Sequence, residues 1–259
     1  MPHASVNGVR LYFEERGSGT PILGLHGGGS SAVFWQDAAD RLSELGRVIV
    51  YDRRGCWRSQ RPDPYEVTSV QEHADDALAL LRELDAQPAI LVGRSYGGTI
   101  ALDLALRHRE AVLGIALLEA GSLGLSTAYD AWFDSLHRRL EESDVDAVGE
   151  TVLREVFGAW EELPQIWRDV FSTNGQALLA EVRGGEKTDL GRLGELDALP
   201  TLVVTADASP QPIRAASEAL ASALPHARSV HVGGDHAIDP AGPEVLRFVS
   251  DIFATSDRV

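Results

Sequence analysis

A serine that could act as a nucleophile lies in the stretch GRSYGG at residues 93–98, which contains the pattern G-x-S-x-G. An apolar run at 89–92 precedes it and a helix-like pattern at 99–106 follows it. In this arrangement a strand turns sharply into a helix, so that the serine oxygen projects above the sheet. Small residues flank the serine because the turn leaves no room for side chains. We therefore predict that Ser95 is a nucleophile, with a plain strand-to-helix turn as the alternative.

A second glycine-rich stretch, HGGGS at residues 26–30, directly follows a predicted strand at 21–25. Glycines in such a place let backbone N–H groups point into a cleft and bind a developing oxyanion. Beside a serine nucleophile, this favours an oxyanion hole formed by the N–H groups of Gly28 and Tyr96, with Gly27 as the alternative donor. A flexible turn is the other interpretation. The motifs of phosphate-binding loops, G-x-x-x-x-G-K and G-x-G-x-x-G with its acidic residue, are not present.

The serine also needs a base, and eight histidines compete for that role. When the nucleophile lies on such a turn, the acid and then the histidine follow it along the chain. Four histidines come late enough: His137, His226, His231 and His236. The first lies in a predicted helix, the second in a loop entering the last strand and the third inside that strand. His236 follows the exit of the strand, at the edge where open α/β sheets bind ligands, and is the predicted base.

Short apolar runs alternate with longer amphipathic segments along most of the chain. The runs predict strands at 10–15, 21–25, 47–51, 89–92, 112–118, 201–205 and 228–232. The amphipathic segments predict helices at 30–45, 69–84, 96–107, 212–223 and 243–253. This alternation predicts an α/β fold with a mostly parallel sheet covered by helices on both faces.

The segment 122–197 departs from the alternation, because it has helix-like patterns and no strand-like run. We interpret it as a helical cap, inserted into a core formed by residues 1–121 and 198–259. Its aromatic residues Trp132, Phe133 and Trp160 are candidate substrate contacts. Packing of these side chains within the cap is the alternative.

Composition limits the class of protein. With 44% apolar and 24% charged residues, the 259-residue chain has the balance of a globular protein. A formal charge of −16 argues against nucleic acids and anionic membranes as partners. No apolar run approaches the length of a membrane span, and the start of the sequence does not resemble a signal peptide. Cys56 is the one cysteine, so the chain cannot form an internal disulfide. We therefore expect a cytoplasmic protein. No Cys/His cluster has metal-ligand spacing, so we expect no metal or organic cofactor. Nothing in the sequence predicts an oligomeric state.

Taken together, these features resemble the α/β-hydrolase fold family over nearly the whole chain. The resemblance rests on the HGGG loop, the stretch YDRRG at 51–55, the serine turn and the stretch GDH at 234–236. It implies a mostly parallel central sheet flanked by helices, with a helical cap inserted after strand six. It also implies a triad of serine, acid and histidine.

The acid of the triad departs from the usual family pattern. The family commonly places an aspartate after strand seven, but in the matching stretch at 203–210 that position is Ser209, and Asp207 lies two residues earlier. Some members, similar to zearalenone-type lactone hydrolases and a subset of haloalkane dehalogenases, place the acid directly after strand six. In this chain Glu119, which directly follows the predicted strand at 112–118, occupies that place. We predict Glu119 as the acid that orients His236, with Asp207 as the alternative.

These residues and the resemblance predict a serine hydrolase that cleaves an ester or lactone bond of an apolar small molecule through an acyl-enzyme. Dehalogenases and epoxide hydrolases of this fold use an aspartate nucleophile, and Ser95 excludes their chemistry. A cofactor-free lyase, cyclase or perhydrolase could use the same serine and histidine. A non-catalytic binding member of the family is the third alternative.

Overall fold

The computed structural model describes residues 2–158 and 160–256. Within these residues, eight strands form one sheet with the order β1-β2-β4-β3-β5-β6-β7-β8. Strand β2 runs antiparallel to β1 and to β4, and the other neighbouring pairs are parallel. The strands are β1 His3–Val6, β2 Val9–Arg16, β3 Pro21–Leu25, β4 Arg47–Tyr51, β5 Ala89–Arg94, β6 Val112–Leu118, β7 Thr201–Ala206 and β8 Arg228–Val232. The predicted α/β-hydrolase fold, with its mostly parallel sheet, is confirmed.

Helices connect the parallel strands and cover both faces of the sheet. The α-helices are α1 Gln36–Leu42, α2 Val70–Glu83, α3 Tyr96–Arg107, α4 Thr127–Glu141, α5 Val145–Phe157, α6 Gln165–Thr173, α7 Gly175–Gly184, α8 Gln211–Ala223 and α9 Pro243–Ser256. Short 3-10 helices at Ala32–Trp35, Arg109–Ala111 and Leu190–Leu196 lie in the connections. None of the described helices is long and apolar enough to cross a membrane.

Alternate residues of the central strands point to opposite faces, and each face has its own hydrophobic core. In β5, Leu91 packs in the core that includes residues of α2 and α3, whereas Ile90 and Val92 pack in the core that includes residues of α1 and α9. Side chains alternate with a period of two along a strand, so a strand buried on both faces is apolar throughout. The continuous apolar run of β5 follows from this double burial.

The connection from β6 to β7 differs from the others, because it contains α4 to α7 and a 3-10 helix. These helices have a hydrophobic cluster of their own, which includes Phe133, Leu140 and Phe171, and Ile213 of α8 joins it. The helical content of this segment matches the pattern read from the sequence.

Two details differ from the predicted elements. Strand β1 was not predicted; it pairs with β2 through a turn at Asn7 and Gly8, both of which have positive φ. The predicted helix at 30–45 is shorter, because a 3-10 turn at Ala32–Trp35 precedes α1 and the helix ends at Leu42.

Candidate active site

Ser95 lies at the junction of β5 and α3 in a strained backbone conformation, with φ +54° and ψ −127°. Its N–H donates to the carbonyl of Leu118 in β6 over 2.8 Å, which fixes the turn against the neighbouring strand. A side chain at Gly97 is excluded, since a Cβ there would lie 2.1 Å from the carbonyl oxygen of Leu25. The glycines of GRSYGG therefore serve close backbone packing, and the strain at the serine is of the kind found at functional sites.

Glu119 follows β6 directly and also has a positive φ, +47°. The residue is 1% exposed, and its carboxylate accepts three hydrogen bonds. Oε1 accepts the N–H of Ala206 at 2.9 Å, and Oε2 accepts the Ser209 hydroxyl at 2.6 Å and pairs with Nδ1 of His236 at 2.7 Å. A buried carboxylate is tolerated when its oxygens are hydrogen-bonded in this way. The structure thus brings Glu119 and His236 together across 117 residues of sequence.

The other acid left open by the sequence, Asp207, lies at the protein surface. Its side chain is 66% exposed, and its Oδ1 is 3.2 Å from Nδ1 of His231, which is itself half exposed. Asp207 is therefore paired with a histidine that does not reach the serine turn. The geometry favours Glu119 over Asp207 as the partner of His236.

Ser95 and His236 line the same pocket, which is enclosed by apolar side chains from the β6–β7 segment and from α8. These apolar side chains are Trp132, Phe133, Leu136, Val152, Leu153, Val156, Phe157, Trp167, Phe171, Leu178, Val182 and Ile213. Two of the three predicted aromatic contacts, Trp132 and Phe133, are among them. The third, Trp160, is not: it packs against the hydrophobic cluster of the helical segment, and Trp167 lines the pocket instead. Contact of Trp160 with a substrate therefore stays a prediction that the pocket lining does not support. The face of an aromatic-rich helical segment that meets a pocket is set by tertiary packing, which the sequence pattern does not show.

The predicted oxyanion donors lie next to each other beside the nucleophile. Gly28 and Tyr96 both line the pocket, and a Cβ added at Gly28 would lie 3.9 Å from the Cβ of Tyr96. Tyr96 is the first residue of α3, where backbone N–H groups have no acceptor within the helix. Gly27 also lies beside the serine, since a Cβ there would lie 3.4 Å from the Cβ of Ser95. Both glycines thus remain candidates for the second donor.

The glycine loop is held from the core side by a neutral histidine. Nε2 of His26 accepts the N–H of Arg53 at 3.0 Å, so the ring proton is on Nδ1, which lies 2.9 Å from the carbonyl oxygen of Gly27. Burial, together with the charge of Arg53, holds the pKa of His26 well below its ordinary value. The Arg53 guanidinium donates to the same Gly27 carbonyl at 2.8 Å. His26 thus has a structural role in fixing the loop.

The same loop is held from the other side by the helical segment. The side-chain amide of Asn174 donates to the carbonyls of Gly29 and Ser30 at 2.8 and 2.9 Å. Oε2 of Glu181, in α7, accepts the N–H of Gly29 at 3.3 Å. Two residues far along the chain therefore fix the position of the proposed oxyanion donors.

Glu181 also forms a buried ion pair with Arg53, at 2.7 Å and almost fully excluded from solvent. Burial, the largest single effect, opposes the charge of Arg53, but its neighbours, the Glu181 carboxylate foremost, together raise the pKa of the guanidinium. His73 lies 3.3 Å from the same guanidinium, and burial lowers the pKa of His73 well below its ordinary value. Cys56 is buried beside this pair, and burial raises the pKa of its thiol, which keeps it protonated. Loss of one partner of such a pair is costly because it leaves the other charge unpaired.

Sequence reasoning missed several polar residues of the site. Asn174, Glu181 and the pocket-lining pair Tyr129 and Glu186 lie in the helical segment, where neither spacing nor a motif distinguishes them. One signal was visible: Ser209 stands where the family pattern places an acid, and the structure hydrogen-bonds it to Glu119. Within the described residues, no group of three or more His, Cys, Asp or Glu side chains could hold a metal ion.

Comparison with known proteins gives the family. Residues 20–153, more than half of the chain, match the model of a family described as alpha/beta hydrolase fold. An uncharacterized hydrolase of Bacillus subtilis (strain 168) is 41% identical over 107 residues, which is 41% of this chain and 40% of that protein. A haloalkane dehalogenase of Sphingobium indicum is 36% identical over 126 residues, or 48% of this chain and 43% of that protein. These matches span less than half the length of either relative.

A match to a solved structure extends over almost the whole chain. The chain is 26% identical to an N-acyl homoserine lactone degrading enzyme, covers 98% of its own length and 99% of that chain, and superposes with a TM-score of 0.70. The similarity therefore includes the whole β6–β7 segment and the strands that follow it, whereas the family model ends at residue 153, within α5.

Proposed function

The chain belongs to the alpha/beta hydrolase fold family, and from that premise we propose that it is a serine hydrolase that cleaves an ester or lactone bond of an apolar small molecule. One observation carries the proposal: Ser95 and His236 line one pocket, and Nδ1 of His236 pairs with the buried Glu119 carboxylate at 2.7 Å. Since Nδ1 carries the proton of that bond, Nε2 is the basic nitrogen. This is the division of roles that a serine nucleophile needs.

In the first half of the reaction, Oγ of Ser95 attacks the carbonyl carbon while Nε2 of His236 takes the hydroxyl proton. Glu119 keeps the imidazole in the correct tautomer and stabilises the imidazolium that forms. The C–O bond of the substrate then breaks, and His236 donates the proton to the leaving alkoxide. The product of this half is an acyl-enzyme on Ser95.

The tetrahedral intermediate carries a negative oxygen, which the N–H groups of Tyr96 and Gly28 would bind. A single donor of this kind contributes about 3 to 4 kcal/mol to transition-state stabilisation. In the second half of the reaction, water attacks the acyl-enzyme after giving its proton to His236. The acid product leaves and the serine regains its proton.

The substrate class follows from the walls of the pocket. They are mainly aromatic and aliphatic, and α4 and α5 supply many of them, so we propose that the segment 122–197 acts as a cap over the site. An apolar enclosure with a few polar groups near the reacting bond is typical of small-molecule sites. The likeness to a lactone-degrading enzyme of 26% identity supports esters and lactones as the bonds to test.

A panel of p-nitrophenyl esters and lactones, assayed in parallel with wild type and Ser95→Ala, tests the proposal. We expect wild type to hydrolyse members of the panel and Ser95→Ala to lose at least about a thousandfold in kcat. Turnover in ¹⁸O-labelled water separates hydrolysis from a lyase or cyclase reaction, because hydrolysis places one labelled oxygen in the acid product. Equal activity of the two proteins, or a product without label, contradicts the proposal.

A further inference from the structure

Three glutamates line the pocket, and one of them has an oxygen that accepts no hydrogen bond from the part of the chain that the structure describes. Both oxygens of Glu119 are taken by Ala206, Ser209 and His236. Both oxygens of Glu181 are taken, one by Arg53 and the other by the N–H of Gly29. Glu186 differs, because its Oε2 accepts the Tyr129 hydroxyl whereas Oε1 has no donor among residues 2–158 and 160–256.

Glu186 is held in place through both its side chain and its backbone. The Tyr129 hydroxyl binds Oε2, and the backbone carbonyl of Glu186 accepts the N–H of Leu123 at 2.9 Å. The pair lies directly over Gly121, since a Cβ there would be 2.2 Å from the Tyr129 hydroxyl and 2.6 Å from Oε2 of Glu186. Gly121 comes two residues after Glu119, so this carboxyl lies at the same edge of the sheet as the proposed triad.

The surroundings make this oxygen a selective binding group. Trp132, Phe133 and Val182 line the same pocket with apolar surface and offer no polar partner to a substrate hydroxyl, whereas the Glu186 carboxyl does. Glu186 is half-buried and faces the pocket, so a substrate that fills the pocket displaces water from this oxygen, and a ligand group that hydrogen-bonds to it replaces that contact. An analogue that lacks the group leaves the site unpaired and is rejected.

The partner group is best a neutral hydroxyl. Burial, with a smaller contribution from the charge of Glu181, raises the pKa of Glu186 to about 7, so both protonation states are populated near neutrality. A hydroxyl can donate to the carboxylate and can accept from the carboxylic acid. An ammonium group can pair only with the ionised form.

We propose that Glu186, anchored by Tyr129, binds a hydroxyl carried by the substrate away from the scissile bond, so that hydroxylated apolar esters or lactones are the preferred substrates. This inference rests on the proposed hydrolase function, since it assigns a subsite of the same pocket.

The test compares matched p-nitrophenyl esters that differ only by one hydroxyl, placed at successive positions of an aliphatic or phenylalkanoyl acyl chain. We expect kcat/KM of wild type to be about tenfold higher for the best hydroxylated ester than for its deoxy partner, with most of the difference in KM. In Glu186→Leu the ratio should fall close to one. In Tyr129→Phe it should fall at least threefold, which provides a second variant if the first folds poorly. Glu195→Gln, an exposed glutamate paired with Arg192, serves as the control and should keep the wild-type ratio.

The outcomes separate this inference from the proposed function. If no ester is hydrolysed, or if Ser95→Ala is equally active, the proposed function fails. If esters are hydrolysed but the hydroxyl gives no advantage in wild type, or the advantage persists in Glu186→Leu, the hydroxyl subsite is wrong. A stronger preference for the matching ammonium ester, lost in Glu186→Leu, also overturns it, because the group recognised is then a cation.

Discussion

The hydroxyl of Ser209 donates a 2.6 Å hydrogen bond to Oε2 of Glu119, the same carboxylate oxygen that pairs with His236. Ser209 stands at the position where the family pattern places an acid after strand seven. In this chain the serine at that position instead hydrogen-bonds to Glu119, the acidic residue that follows β6. The hydrogen bond fixes the carboxylate from the side opposite to the backbone N–H of Ala206.

Ser209→Ala should lower kcat on an ester by roughly tenfold, with KM little changed, because one hydrogen bond to a charged acceptor is worth about 1.5 kcal/mol. The matched control is Ser222→Ala, since that serine donates to a backbone carbonyl on the exposed side of α8. Steady-state kinetics of the two variants on one ester give the comparison. Equal kcat values in both variants would show that the Ser209 hydroxyl does not position Glu119.

Glu119→Gln should lower kcat by about 10⁴, because loss of the triad acid leaves the histidine in the wrong tautomer. Asp207→Asn should keep at least a tenth of wild-type activity, since that carboxylate is paired with His231 at the surface. Both variants are first checked for folding by circular dichroism and then assayed on one ester. An inactive Asp207→Asn beside an active Glu119→Gln would reverse the assignment of the acid.

Asn174→Ala should lower kcat by roughly tenfold and raise KM by a smaller factor, because the loop that carries Gly28 loses two hydrogen bonds to its carbonyls. The same change leaves buried polar groups unpaired, so we also expect a loss of about 1 to 3 kcal/mol in the free energy of unfolding. Urea denaturation and steady-state kinetics are the two measurements. A variant that loses stability but keeps the wild-type kcat contradicts the role of Asn174 in positioning the loop.

Stability should depend on pH through Glu186. Burial raises the pKa of its carboxyl to about 7 from an ordinary value of 4.5, so the folded state favours the protonated form. The stabilising contribution is therefore complete below about pH 4.5 and is lost as the pH rises through 7. The groups that face this carboxyl are Tyr129, Glu181 and Arg53.

Glu186→Gln removes this titration. Relative to the variant, wild type should lose on the order of 2 kcal/mol in the free energy of unfolding between pH 5 and pH 8. Urea denaturation at four pH values in that interval measures the difference. A constant difference between the two proteins across the interval would show that the carboxyl does not titrate there.

Much of the fold could be predicted from the sequence, because buried strands must be apolar and the glycine turns have few alternatives. Strand β1 was missed although its signal is present: Asn7-Gly8 is the dipeptide favoured in two-residue hairpin turns, and both residues have positive φ. The strand itself has only four residues with alternating exposure, which a search for apolar runs does not detect.

The residues of the candidate site fall into two groups, those placed by local sequence and those placed by tertiary contacts. Ser95, Glu119 and His236 each come within four residues of the end of a predicted strand, where local pattern constrains their position, although their catalytic roles stay a prediction. Asn174 and Glu186 act through contacts that depend on how the helical segment folds back over the sheet. The amide of Asn174, for example, binds a carbonyl 145 residues earlier in the chain, and no local pattern encodes that.

The most direct test of the account is to locate the covalent adduct formed with a fluorophosphonate probe, by peptide mass spectrometry of the labelled protein. We predict one adduct, on Ser95, in wild type and in Asp207→Asn, and none in Ser95→Ala. Labelling should also be strongly slowed in Glu119→Gln, since the serine then lacks an oriented base. An adduct on another residue, or ester hydrolysis by a protein that the probe neither labels nor inhibits, would contradict the central claim that Ser95 is the nucleophile.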